Sequence, residues 1–332
     1  MTERTPPEIK YFNDLAGTFP SMEGKTVAIT GCTSGMGLVL AQTCARLGAR
    51  IVMLNRPSPR ADTALRKMLE AGADAVLVPC DLSSFAHVRA AGQILRQLFA
   101  DTGVDVLCNN AGIMGVPDAA TEDGYDVQMQ ANHLSHFLLT HEIWPLLEKA
   151  GHLRGEARVV QHTSGARGKP GRPLYAKYLG RNGGNLGGDG FPGMGKWTRY
   201  QQSKLANLMF AYALDAQVSK RPGNKVKSLC AHPGPVDSGL QAKTTKSGGD
   251  RWLDRLIIRR TLKVAQSVED GTSGIAICCC REDLESGDFF GPQGPQRTGP
   301  AEKMPEERNP ENESVVWKES LEATGISRFF GD

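Results

Sequence analysis

Nowhere does this 332-residue sequence string together the roughly 18 apolar residues that a membrane-spanning helix needs, so no spanning segment is expected. It has no basic block either. Its 39 Lys and Arg stand against 36 Asp and Glu, a net charge of +3, which makes nucleic acid a poor partner. Aromatics are scarce, at 6%, and point to no particular size or polarity of ligand. The opening MTERTPPEIKYFNDLAG lacks the apolar run of a secretory signal. Eight cysteines stand singly at 32, 44, 80, 108 and 230 and then together as Cys278-Cys279-Cys280, with no zinc-ligand spacing. Most fall in apolar stretches, where a thiol behaves as a small hydrophobe, so a reducing, cytoplasmic setting is expected. The length suits one large α/β domain or two small ones.

What the chain does have is alternation. TVAIT (26–30) is a β-branched run of the kind that forms a buried parallel strand. TGCTSGMG follows, and then an apolar helical stretch stopped at Gly48. A strand, a glycine turn and a helix N-terminus together make a seat for a pyrophosphate. Gly31 permits the tight turn, Gly35 a close backbone approach, and Gly37 close helix packing, with Thr33, Ser34 and Met36 between them. The spacing is Gly-x-x-x-Gly-x-Gly, and three glycines can equally form a plain loop.

A second strand, RIVML (50–54), ends at Asn55-Arg56, where an acidic residue would hold the ribose hydroxyls of NAD. An Arg at this place can instead pair with a 2′-phosphate, which favours NADP(H) over NAD(H), although a solvated loop Arg is the plainer reading. A helix over 60–71 leads to a third strand, AVLVP (75–79), and to Asp81-Leu82. Asp81 suits an adenine amino group or the cap of the next helix. The fourth strand (104–109) runs into Asn109-Asn110-Ala111-Gly112, and residues 121–149 read as one long helix containing Asn132. There Asn132 is either bonded to backbone or a site residue. His133, His136 and His141 suggest a metal face, but no carboxylate or thiol completes it, so packing roles are preferred. The fifth strand (157–164) ends at Ser164.

Ten glycines in residues 168–195 mark a surface insertion, either a lid or a passive loop. Next comes WTRYQQSKLANLMF, which as a helix sets Tyr200 and Lys204 one turn apart on the same face. An ammonium about 4 Å from a phenol, at an effective dielectric of ~20, supplies roughly the 4 kcal/mol needed to bring a tyrosine near neutrality. Taken alone, Tyr-x-x-x-Lys is common on helix surfaces. A sixth strand (225–231) precedes His232-Pro233-Gly234-Pro235-Val236-Asp237-Ser238. WLDRLIIRR reads as an amphipathic helix within 236–265 that caps a pocket, meets a second subunit or touches a membrane surface. A helix over 267–280, a short last strand (287–291), a polar Pro-rich stretch and a terminal helix stopped by Gly325 complete the chain.

TGCTSGMG, Asp81, NNAG, Asn132, Ser164, YQQSK and HPG, in that order at strand ends and on helices, resemble the short-chain dehydrogenase/reductase family over about 24–325. YQQSKLANLMF, NHLSHFLLT, HPGPV and VVWKESLEATG are most similar to its retinol-dehydrogenase-like branch. The resemblance implies a doubly wound, seven-stranded parallel (Rossmann) sheet in a single domain, flanked by an extension at 1–23 and a tail at 326–332. It implies that Gly31, Gly35 and Gly37 hold the pyrophosphate and Asp81 the adenine, with Asn109, Ala111 and Gly112 beside the adenosine ribose. Tyr200 is then the acid/base, Ser164 bonds the substrate oxygen, Lys204 binds the nicotinamide ribose and depresses the tyrosine pKa, and Asn132 holds a relay water. Pro233, Gly234, Val236 and the hydroxyl of Ser238 meet the carboxamide. Ser238 replaces the usual Thr, Gln161-His162-Thr163 replaces Asn-Val-Ser, and 36 residues separate Ser164 from Tyr200, which implies an unusual substrate or lid. The activity implied is NADP(H)-dependent hydride exchange with a small-molecule carbonyl or alcohol carbon. A homodimer through helices 121–149 and 197–219 goes with it. The rival readings are a double-bond reductase of the protochlorophyllide type and a non-catalytic NADP-binding protein.

Overall fold

The computed structural model describes residues 5–190, 193–237 and 259–331. Its strands are β1 Thr26–Thr30, β2 Arg50–Asn55, β3 Ala75–Pro79, β4 Val106–Asn109, β5 Ala157–His162, β6 Val226–Ala231, β7 Phe289–Pro292 and β8 Ala301–Lys303. They form one sheet in the order β3-β2-β1-β4-β5-β6-β7-β8. The first seven strands are parallel, and β8 returns antiparallel along β7. The sheet thus has eight strands where the sequence implied seven. The extra strand is three residues, Ala-Glu-Lys, with no apolar alternation to betray it.

Strand burial explains why the sheet is covered on both sides. In β1, Val27 and Ile29 enter one apolar cluster and Ala28 the other, as period-2 geometry requires. One face carries α1 Phe12–Ala16, α2 Gly35–Arg46, α3 Pro59–Glu70 and α9 Val268–Cys280. On the other lie α4 Phe85–Leu98, α6 Ser135–Glu142, α7 Trp144–Arg154, α8 Gly195–Val218 and α10 Pro310–Thr324. Caps fix several boundaries. Ser58 accepts from Ala61 N–H before Pro59, and Gly325 ends α10 in the left-handed conformation.

The expected single helix over 121–149 is broken. Residues 121–126 form a turn closed by an Ala120–Asp126 bridge. Asp126 then caps α5 Val127–Met129, a π turn Gln130–Leu134 follows, and Pro145 lies in the first turn of α7. Residues 128–140 are all buried, so the hydrophobic pattern hides the joints there.

The outer faces of α6 and α8 are not open. Phe137 packs on Phe329 at 4.9 Å between ring centres, Trp144 on Phe330 at 4.8 Å, and α10 adds Trp317. The implied helix-to-helix dimer would have to displace this cover.

Order reverses between β1 and β4, and ligands in such sheets bind beyond the strand ends at that crevice. There the two turns touch, for a Cβ on Gly31 would fall 2.8 Å from that of Ala111. No helix among the described residues is long and apolar enough to cross a membrane. All eight cysteines are buried free thiols. Ser238 and residues 252–258 of the amphipathic stretch lie outside the described residues.

Candidate active site

A cavity of about 1090 Å³ opens along the carboxyl edge of the sheet. Thr33, Ser34, Gly35, Met36 and Gly37 line it at the start of α2. Ser34 makes no side-chain cap and the first turn carries no acid, so the helix N-terminus presents N–H groups to whatever enters. That is the donor set an anionic pyrophosphate fits. Gly31 (φ +70°) and Gly35 (φ +62°) take conformations that side chains resist. Gly37 is needed for space: a Cβ there would lie 2.5 Å from Asn110 Nδ2 and 2.6 Å from Gly31 O. Gly37→Ala should therefore cost about 1–3 kcal/mol and weaken dinucleotide binding, measurable by thermal melting and by titration.

At the end of β2 the two expected residues part company. Asn55 lines the cavity but turns inward, its Oδ1 accepting from Cys32 N–H at 3.0 Å, so it braces the glycine turn. Arg56 is exposed at the cavity, and Arg60 in the first turn of α3 joins it, unforeseen from the sequence. Asp81 and Leu82 line the same end. Asp81 accepts from Ser83 N–H and hydroxyl at 2.9 and 2.8 Å, an Asx turn, while the cap position of α4 belongs to Ser84.

Of the paired amides, Asn109 is buried and donates to Thr140 Oγ1 at 3.2 Å, away from the cavity. Asn110 takes the place expected for it. Its Nδ2 donates to Thr30 O at 2.9 Å and Gly31 O at 3.3 Å, leaving Oδ1 to accept from His162 Nδ1 at 2.9 Å. Ala111 and Gly112 line the cavity beside it.

Ser164, Tyr200 and Lys204 also line the cavity, together with Pro233, Gly234 and Val236. Ser164 follows the end of β5 and accepts from Ala166 N–H at 3.1 Å, and its side chain lies beside the Tyr200 phenol. Burial pushes that phenol above its usual range, and the Ser164 hydroxyl pulls the other way. Lys204 is pulled down to about 8 by burial. Its Nζ donates to His162 O at 3.0 Å. The expected depression of the tyrosine by the lysine is therefore not what this arrangement gives. Desolvation is the leading cause at both groups.

Asn132 lies in the π turn, a distortion frequent at functional sites. Its amide is fully engaged, accepting from Ile113 N–H and donating to Ile113 O and Ser203 Oγ at 2.8–2.9 Å. A Cβ on Gly112 would meet both Asn132 Oδ1, at 3.1 Å, and Lys204 Nζ, at 3.3 Å, so these groups crowd one spot. Asn132 itself does not line the cavity. The histidines weighed as a metal face go elsewhere: His133 to Ser320, His136 to Thr30 and Asn132 O, and His141 to Phe329 O.

None of the described residues of the glycine-rich insertion lines the cavity. The insertion instead ties into the body of the protein, with Leu174 N–H on Asn312 Oδ1 and Tyr175 N–H on Gln202 Oε1.

Known proteins share this architecture. Residues 25–179 match the family model described as short chain dehydrogenase. The chain is 36% identical to mouse retinol dehydrogenase 14 over 66% of its own length and 63% of that protein, so the match spans less than two thirds of it. It is 31% identical to mouse polyprenol dehydrogenase over 92% of this chain and 85% of that one. A crystal structure of an uncharacterised protein from Mycobacterium paratuberculosis superposes with a TM-score of 0.69 at 26% identity, covering 93% of this chain and 97% of the other.

Proposed function

The chain belongs to the short-chain dehydrogenase/reductase family, in its retinol-dehydrogenase-like branch, and from that membership we propose an NADP(H)-dependent oxidoreductase acting on a carbonyl or alcohol carbon. The observation that carries this reading is the Ser164 and Tyr200 hydroxyls side by side on the wall of a cavity that an uncapped helix N-terminus also lines.

The start of α2 would hold the pyrophosphate, Asp81 the adenine, and Lys204 with Pro233, Gly234 and Val236 the nicotinamide half. When bound, the cofactor supplies or accepts the hydride. The rest belongs to this chain. Ser164 and Tyr200 donate to the substrate oxygen as it gains charge, and the phenol proton passes to it. A phenol whose pKa is raised by burial is protonated at neutral pH, which suits it to act as the acid in carbonyl reduction. Lys204, one turn away, offsets the phenolate left behind.

Arg56 and Arg60 favour NADP(H), since two guanidinium groups at the adenosine end suit a 2′-phosphate. The substrate end is apolar, lined by Ile113, Met114, Val116, Val127 and Ala131, which fits a substrate with a large hydrocarbon body. The names of the relatives, retinol and polyprenol dehydrogenases, point the same way. Eight free thiols suit a reducing compartment, and the cytoplasm is the proposed setting. No feature of the site favours a light-driven double-bond reductase or a non-catalytic binder.

The test is to follow nicotinamide absorbance with NADPH and with NADH over a panel of apolar aldehydes and ketones; absence of turnover with every member would overturn the reading. For the cofactor choice, Arg56→Ala with Arg60→Ala should weaken NADPH binding by about 1.5–3 kcal/mol per lost charged bond and leave NADH unaffected. Equal loss for both cofactors would remove the assignment.

A further inference from the structure

The described residues of the glycine-rich insertion do not line the cavity, yet one buried cation connects the insertion to the cavity wall. Arg199 immediately precedes Tyr200 on α8 and is 1% exposed. Its Nη1 donates to Gly187 O at 2.7 Å and its Nη2 pairs with Asp189 Oδ1 at 2.7 Å, both on the insertion. On the other side Nη2 reaches Val116 O at 3.5 Å, and Nε lies 3.4 Å from Asp126 Oδ2. Asp118 closes the ring, its N–H donating to Asp189 Oδ2 and its own Oδ2 accepting from Gly187 N–H. Val116, and Val127 next to Asp126, line the cavity, where the reading above puts the substrate.

This contact set needs a guanidinium. It serves two carbonyls and three carboxylates in divergent directions, which the planar, five-donor fork can do and a single ammonium cannot. Removing the cation takes the guanidinium away from the fully buried Asp126, with Asp118 and the part-exposed Asp189 close by.

We propose that Arg199 is a positioning residue: it fixes the Val116–Val127 wall of the substrate end against the helix that carries Tyr200, with the glycine-rich insertion as its brace. The insertion then acts on substrate selection at second hand, without touching the substrate. Long apolar substrates, which need the wall, feel its displacement; short ones and the dinucleotide do not. The proposal rests on the reading of this cavity end as the substrate end.

The test uses Arg199→Lys and Asp189→Asn in the full chain, the second sparing the most buried charge in case the first folds poorly. Limited proteolysis without substrate should cut within 168–190 faster in both variants, while NADPH affinity stays at the parent value. KM for a long-chain aldehyde should rise about tenfold, with kcat and the KM of a short aldehyde little changed. A merely structural role would move the long and short aldehydes together, and that parallel change overturns the proposal. So does unaltered cutting of the insertion. If the parent reduces no aldehyde, the reaction reading fails by itself, and the proteolysis decides the clamp in either direction.

Discussion

Tyr200→Phe is expected to lower turnover by about 10²–10⁴-fold, the usual worth of a positioned acid or base, while NADPH affinity stays near the parent value. The ring is 7% exposed and fills the same space without its hydroxyl, so only the phenol's polar contact beside Ser164 and the transferable proton are lost. Ser164→Ala should cost less, since it removes one donor to the developing oxyanion and leaves the proton source. The raised phenol adds a directional consequence. In alcohol oxidation the same oxygen must first lose its proton, which burial opposes, so the oxidation rate should climb with pH through and above neutrality while reduction stays level. Stopped-flow measurement in both directions checks this. A Phe variant with near-parental turnover, or oxidation that is flat with pH, would take Tyr200 out of the role.

Much of this site was legible because strand ends are legible. The β-branched run 26–30 followed by glycines, the hydroxyl at Ser164 and the His-Pro-Gly after β6 all lie where chain direction alone places them, at one edge of a parallel sheet. Failures began where a side chain's facing or burial mattered. Asn109 and Asn110 are adjacent amides, and a shift of one residue exchanges cavity for core; the sequence reading chose the one that points at Thr140. Arg60 was findable, since Ser58-Pro59 announces a helix start and puts residue 60 in its first turn beside Arg56. The sign of the Tyr200 shift was not, because Coulomb attraction can be estimated from spacing whereas desolvation requires knowing how much protein surrounds the pair. The role of the insertion stays open between lid and passive loop for a related reason. Glycine content shows that a segment builds little core, but its anchor, Asp189, is distant in sequence from the Asp118 and Asp126 it meets around Arg199.

The protein should also unfold cooperatively in mild acid, because four of its seven histidines are buried in neutral form. Burial pulls His133, His162 and His232 down to about 3 and His136 to about 4, and Lys204 adds repulsion at His136 and His162. Their bonds fix the neutral form. His136 Nδ1 must donate to Asn132 O, so Nε2 accepts from the Thr30 hydroxyl; His162 Nδ1 donates to Asn110 Oδ1. With folded pKa values below the unfolded 6.5, the unfolded chain binds more protons as pH falls, so the stability these groups contribute is present above about 6.5 and is lost toward 3–4. Each proton of difference is worth about 1.4 kcal/mol per pH unit, so four approach about 5 kcal/mol per unit. Against a total of about 5–15 kcal/mol for a folded domain, that slope should bring the midpoint within about one to three units below 6.5. Denaturant titrations from pH 7.5 to 5 would read the slope directly. His133→Gln, which keeps a polar group near Ser320 but cannot take up the proton, should reduce it by about one proton. Stability that stays level from pH 7 to 5 would mean that these imidazoles reach water or an acidic partner before the chain opens, against their burial here.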